Sequence, residues 1–242
     1  MRVDARDNQV FHDHAAMREL FRRELMALAP ILSGIYGNQG LFVRGHALMP
    51  CDLPPHLIGC LTTLSHAKRD QMHGDVRCRA VHLPFSNESF NLFVAQHAYE
   101  QCDRLQDCIE EIARVLAPEG IALIMGFNPL GTWRPWLAWR TRVARQSLHL
   151  HSAQSWRRHL LRERIDTLQI RFPGLLLPRA RITSPGAPPG NETRNVFARF
   201  GSSWLLLARK RRATLTPMRL RDRNKEFGLQ PGLLSGARRA RA

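Results

Sequence analysis

Met17, Leu20, Phe21, Leu25 and Leu28 recur at three- and four-residue steps behind Asp13. That is the period of one helix face following a residue able to cap it. The spacing predicts a first helix over about 13–29, stopped by Pro30. LFVRGHA (41–47) then reads as a short buried strand set among Gly37, Gly40 and Gly45. Pro54 and Pro55 argue against a long helix directly after it. LTTLS (61–65) is the next strand, with a weaker one around 76–82 and a clear one at FNLFVA (90–95). Leu105, Ile109, Ile112 and Leu116 repeat at four, three and four behind Asp103 and Gln106, an amphipathic helix opened by a capping box. Pro118 ends it, Gly120 turns the chain, and IALIMGF (121–127) is apolar enough for a strand covered on both faces. A basic, helix-compatible region through about 163, a strand at 165–172, a loop at 183–195 and a strand at 202–210 follow. Strands alternating with helices predict an α/β fold with a doubly wound, mostly parallel sheet, binding its ligand at the carboxyl ends of the strands.

The 242 residues favour one main domain, and no apolar run approaches the roughly 20 residues of a spanning helix. The opening MRVDARDNQVFHDH is too polar for the core of a secretory signal, so a cytoplasmic protein is expected. Cys51, Cys60, Cys78, Cys102 and Cys108 include no C-x-x-C pair, and buried reduced thiols are the reading preferred. Cys51, His56, Cys60 and His66 are spaced more loosely than structural zinc ligands, so no metal is assigned. The charge of +16 is uneven: from Arg209 onward eleven Lys or Arg stand against two acids. Such a segment is expected to be a disordered basic tail, able to hold nucleic acid or anionic lipid through phosphate contacts, largely nonspecifically. The organisation expected is an N-terminal helix (1–30), a main domain (31–210) and the tail (211–242).

The run from Leu83, Pro84 and Phe85 through Ser89 and Phe90 into a strand, then a helix ending in Arg114, Val115, Leu116, Pro118 and Gly120, resembles the class I S-adenosylmethionine-dependent methyltransferases, particularly their small-molecule branch. GFNPLGTW after the apolar strand resembles a small bacterial subgroup. The resemblance implies a seven-stranded Rossmann-like methyltransferase sheet, and S-adenosylmethionine held by a glycine loop after the first strand, by the end of the second and by the LPF loop. It places Gly45, His46, Ser65, His82, Leu83 and Gln96 at the cofactor. Physically, the glycine loop admits close backbone approach, an acid accepts from the ribose hydroxyls, and apolar side chains cover the adenine.

The chain departs from that pattern. Val43 stands where relatives carry an acid, His46, Ala47 and Leu48 replace the glycines, and Ser65 or His66 takes the ribose acid's place. Arg79 replaces an aspartate facing the adenine, and Asn91 the aspartate after Ser-Phe. Methyl transfer is an in-line displacement that depends on positioning. His97, just past the fourth strand of the family pattern, is the candidate catalytic base, against a packing role at the strand end. Tyr99 and Glu100 adjoin it. Asn128-Pro129 is read as a turn. Trp133, Trp136 and Trp139 could cover a substrate, meet a membrane interface or pack on the domain. Two functions follow: methyl transfer from S-adenosylmethionine to a small molecule, or an inactive module of the same fold that binds or scaffolds, with the basic tail contacting nucleic acid.

Overall fold

The computed structural model describes residues 14–67, 70–102, 104–143, 148–173 and 199–212. The first helix, α1 (Ala15–Leu32), is capped by His14, whose ring nitrogen accepts from the Ala16 amide. It runs past Pro30, where the sequence predicts a stop, because Leu28 and Leu32 bury on the sheet beneath and hold the last turn. Asp13, the predicted cap, lies outside the described residues.

Eight strands form the sheet: β1 (Tyr36–Arg44), β2 (Leu57–His66), β3 (Gln71–Gly74), β4 (Cys78–Arg79), β5 (Phe90–Gln96), β6 (Leu116–Phe127), β7 (Ile165–Arg171) and β8 (Ser203–Lys210). Their spatial order is β4-β3-β2-β1-β5-β6-β8-β7. The pairs β1/β2, β1/β5 and β5/β6 are parallel, whereas β2/β3, β3/β4, β6/β8 and β7/β8 are antiparallel. The expected seven-stranded, mostly parallel sheet is thus corrected to an eight-stranded mixed one. The cause is local: the chain after β2 folds back as the short strands β3 and β4, where a parallel strand would need a long crossover.

Alternation along the central strands serves two cores. Leu41, Val43, Phe93 and Ala95 face α2 (Leu105–Val115) and α4 (Ala153–Arg162), which contribute Ile109, Ile112, Trp156 and Leu160. Phe42, Leu92 and Val94 face the opposite way, onto Leu25, Leu28 and Leu32 of α1. A central strand with both faces covered cannot show period-two polarity, which is why these strands read as continuous apolar runs. Each fully buried Leu or Phe contributes about 1.5–3 kcal/mol over exposure, so the burial dominates local propensity. A fourth helix among the described residues, α3 (Arg134–Val143), packs through Leu137 and the preceding Trp133 on Met17, Leu20 and Phe21.

Two connections differ from the sequence reading. α2 ends at Val115 and β6 begins at once, so Pro118 and Gly120 sit in an irregular stretch of β6 between the Phe90–Leu116 and Leu92–Ile121 pairs. Asp103 lies outside the described residues, and Arg104 at the N-cap makes no side-chain cap bond. Residues 45–56, joining two parallel strands, contain no helix. The prolines anticipated this, but the consequence falls on the site, since a crossover helix normally offers its N-terminal amides there. The five cysteines are free, and Cys51 and Cys60 are exposed rather than buried. No helix among the described residues is long and apolar enough to cross a membrane. The 183–195 loop and the tail from 213 lie outside the described residues.

Candidate functional site

The carboxyl ends of β1, β2 and β5 lie in one row, Arg44 pairing with Ser65 on one side and with Gln96 on the other. Gly45 follows immediately. Its amide donates to the Gln96 carbonyl at 2.8 Å, and a Cβ built on it would stand 2.4 Å from the His97 carbonyl oxygen. Only glycine lets β1 leave the sheet this close to β5. Arg44 then folds over the following loop, donating to the carbonyls of Ala47 and Met49.

The predicted site residues divide between this edge and the interior. His46 accepts from the Leu48 amide on Nδ1, and desolvation, then His66 and Arg44, lower its pKa. Ser65 donates its hydroxyl to the His73 carbonyl in the β2–β3 hairpin. His66 is buried, and neither ring nitrogen has a hydrogen-bond partner. Among these strand ends no carboxylate stands at Val43, Ser65 or His66. Leu83 is buried with its amide donating to Glu111 at 2.6 Å, while His82 is exposed and its amide returns to the Arg79 carbonyl. Arg114 clamps this loop through the carbonyls of Leu83 and Phe85 and the side chains of Asn87 and Glu111. Arg79 pairs with Asp70, away from any nucleotide-like role. Asn91 lies at the other end of β5, its Oδ1 accepting from the amides of Asn38 and Gln39.

His97 ends β5 in the left-handed region, with φ of 51°. That strained turn drops its ring into the interior. Nε2 lies 2.9 Å from Glu24 Oε1 of α1, and Nδ1 lies 3.0 Å from Glu100 Oε1. The ring also packs against Phe21 and Phe127, with centroids at 5.3 and 4.1 Å. Burial alone would lower its pKa, but the two carboxylates outweigh this and hold it at about 10, an imidazolium at neutral pH. Gln96 turns the same way, donating to Glu24 and to the Phe21 carbonyl, with its own Oε1 unpartnered. Glu100 further accepts from the Phe127 amide. The predicted base is therefore the centre of a closed Glu24–His97–Glu100 cluster.

Glu24 is the residue that sequence reasoning missed. The signal was present, since Leu20, Glu24 and Leu28 fall at four-residue steps on the apolar stripe of α1. A fully buried acid on such a stripe needs a partner. The Trp series also resolves: Trp133 is buried, Trp136 is half-buried and Trp139 is exposed. Asn128 forms the expected turn, its side chain bonding the carbonyls of Arg199 and Gly201 and the Leu130 amide.

A large concavity among the described residues lies elsewhere. A cavity of about 540 Å³ opens at the opposite edge of the parallel strands, between Ile35, Tyr36, Asn91, Gly120, Leu168 and Arg209. At the carboxyl edge a void of about 10 Å³, room for one water, lies beside Glu100, His151 and Trp204.

Residues 39–124, from β1 to within β6, match the family model described as methyltransferase domain. A search of curated proteins gives no significant match. Among solved structures, a methyltransferase in complex with the Haloferax volcanii Trm112 methyltransferase activator is 12% identical, with 87% of this chain and 98% of that chain covered and a TM-score of 0.55. A SAM-dependent methyltransferase of Thermotoga maritima is 13% identical, with 84% and 92% covered and a TM-score of 0.51. A chain described as a methyltransferase, from Bacillus halodurans, is 14% identical, with 77% and 99% covered and a TM-score of 0.50. The methyltransferase and Rossmann-like descriptions fit all of these matches. With β1, β2, β5 and β6 parallel at its centre, β8 reversed beside them, β7 beyond it running with the central strands again, and helices on both faces, the chain has the class I S-adenosylmethionine-dependent methyltransferase-like fold.

Proposed function

We propose that this chain is a binding module on the methyltransferase fold, and that its carboxyl edge does not hold S-adenosylmethionine in the family's manner. The observation that carries this is the internal closure of the edge. Each group the cofactor would use is either missing or already engaged.

No acid stands at the ends of β1 or β2 to accept from ribose hydroxyls, and no helix follows β1 to present amides. The Leu83 amide, placed to face an adenine, is taken by Glu111. A sulfonium cation would meet Arg44 at the rim, while the carboxylates Glu24 and Glu100 are turned inward and engaged with His97. The residues present do not fit the cofactor. His97 also lacks the property of a base: a cation between two carboxylates has no free lone pair to take a proton.

Methyl transfer to a small molecule is the competing reading. In its favour, Leu83 and Phe85 still line the loop that covers adenine in relatives, and the family match spans this whole region. Titration calorimetry with S-adenosylmethionine and S-adenosylhomocysteine separates the two. The module reading expects no saturable heat up to millimolar ligand. A saturable isotherm with a dissociation constant below that range would overturn it and restore the enzyme.

A further inference from the structure

We propose that the outer face of α3, with the adjoining loop tips at Leu130 and Phe200, docks on an anionic lipid bilayer. The inference goes beyond the module reading and does not depend on whether the cofactor edge is closed.

This face combines exposed apolar groups with one sign of charge. Leu130 is 74% exposed, Trp139 59% and Phe200 47%. Large apolar side chains so placed scatter singly on most surfaces, and their grouping calls for a partner. Two of the three are joined through their backbones. Asn128 bonds the carbonyls of Arg199 and Gly201, and the Thr132 amide donates to the Phe200 carbonyl at 3.0 Å, so the Leu130 and Phe200 loops are fastened together. α3 starts at Arg134, directly beyond that fastening. Trp133 and Leu137 point inward, which turns Pro135, Ala138, Trp139 and Arg142 outward.

The charge is uniform as well. Residues 128–143 and 199–202 contain Arg134, Arg140, Arg142 and Arg199 and no acid. Arg140 lies over the rings of Trp136 and Trp139, at 5.8 and 5.9 Å from their centroids. A guanidinium stacked on an indole is held at the level of the ring, where lipid phosphates and the glycerol region also lie. Apolar tips entering the acyl boundary with arginines at headgroup depth match an anionic bilayer surface. A nucleic acid would use the arginines and the indole but offers nothing to an aliphatic tip such as Leu130, so the bilayer is favoured.

The test uses the full chain and vesicles of phosphatidylcholine with or without phosphatidylserine, some carrying brominated acyl chains. Sedimentation with the anionic vesicles is expected, weakening as salt rises. Bromine should quench tryptophan emission in the wild type and not in Trp139→Phe. Trp139→Ala and the Leu130→Ala/Phe200→Ala pair should each weaken vesicle binding about tenfold while leaving the thermal midpoint unchanged, since all three side chains are exposed. Three results would overturn the inference: no binding to anionic vesicles, binding without quenching, or binding unaltered by these substitutions. Retention of an oligonucleotide in the absence of any vesicle binding would assign the face to nucleic acid instead.

Discussion

A single side chain, His97, holds three distant pieces of the chain in register: the helix α1 through Glu24, the strand end through its own backbone, and the following turn through Glu100. Its folded pKa of about 10 exceeds the unfolded value of 6.5. The folded state therefore binds the proton more tightly. The stability this contributes is complete below pH 6.5 and is lost as pH rises through about 10. Thermal unfolding followed from pH 6 to pH 10.5 should show a falling midpoint, and Glu24→Gln should flatten that slope. His97→Leu leaves two buried carboxylates facing each other without a cation and should cost about 3–5 kcal/mol, read by denaturant titration. Gly45→Ala is expected to cost about 1–3 kcal/mol by forcing β1 away from the His97 carbonyl. Part of this was legible in the sequence: Gly45, Gln96 and His97 do come together at the strand ends. The pairing was not, because Glu24 and His97 lie 73 residues apart and only tertiary packing brings an acid on a helix stripe to an imidazole on a strand.

At the scale of elements, the LPF loop is fastened by Arg114 on the last turn of α2, which is tied in turn to β8: Lys210 donates to the carbonyls of Ala113 and Leu116, satisfying the helix C-terminus. Arg114→Ala removes the donors to Leu83, Phe85 and Asn87 together. Amide exchange across 83–89 should accelerate, with no comparable change in β5. The sequence order of LPF, strand and helix was visible because each piece carries its own local pattern: turn residues, an apolar run, a 3.6-residue stripe. β4 (Cys78–Arg79) falls within the weak strand read around 76–82, but β3 was not visible, since Gln71–Gly74 is short, polar and largely exposed and is held by pairing to β2 rather than by any periodicity. The missed extension of α1 through Pro30 has the same character, a tertiary contact overriding a local breaker.

For the whole molecule, the charge of +16 and the mixed sheet separate two surfaces that composition alone would merge. Arg211 does not act as tail: it pairs with Asp166 at 2.7 Å and its amide bonds the Arg164 carbonyl, closing the β7–β8 edge. Arg211, the first residue of the expected tail, is thus bonded to β7 and the turn before it. A chain ending at Arg212 should keep the wild-type circular dichroism and elute from an immobilised polyanion at lower salt, whereas one ending at Lys210 should also lose protection in β7. Unchanged elution of the chain ending at Arg212 would place the polyanion contact before residue 213.

The Glu24–His97 link also sets an order of events. As the chain is synthesised, Glu24 emerges 73 residues before its partner, which directly follows β5 in the middle of the sheet. Until then, laying α1 on any apolar surface would strand a carboxylate away from water. Docking α1, the first helix among the described residues, before β5 is in place would bury Glu24 without its partner, so the pairing penalises that order of assembly.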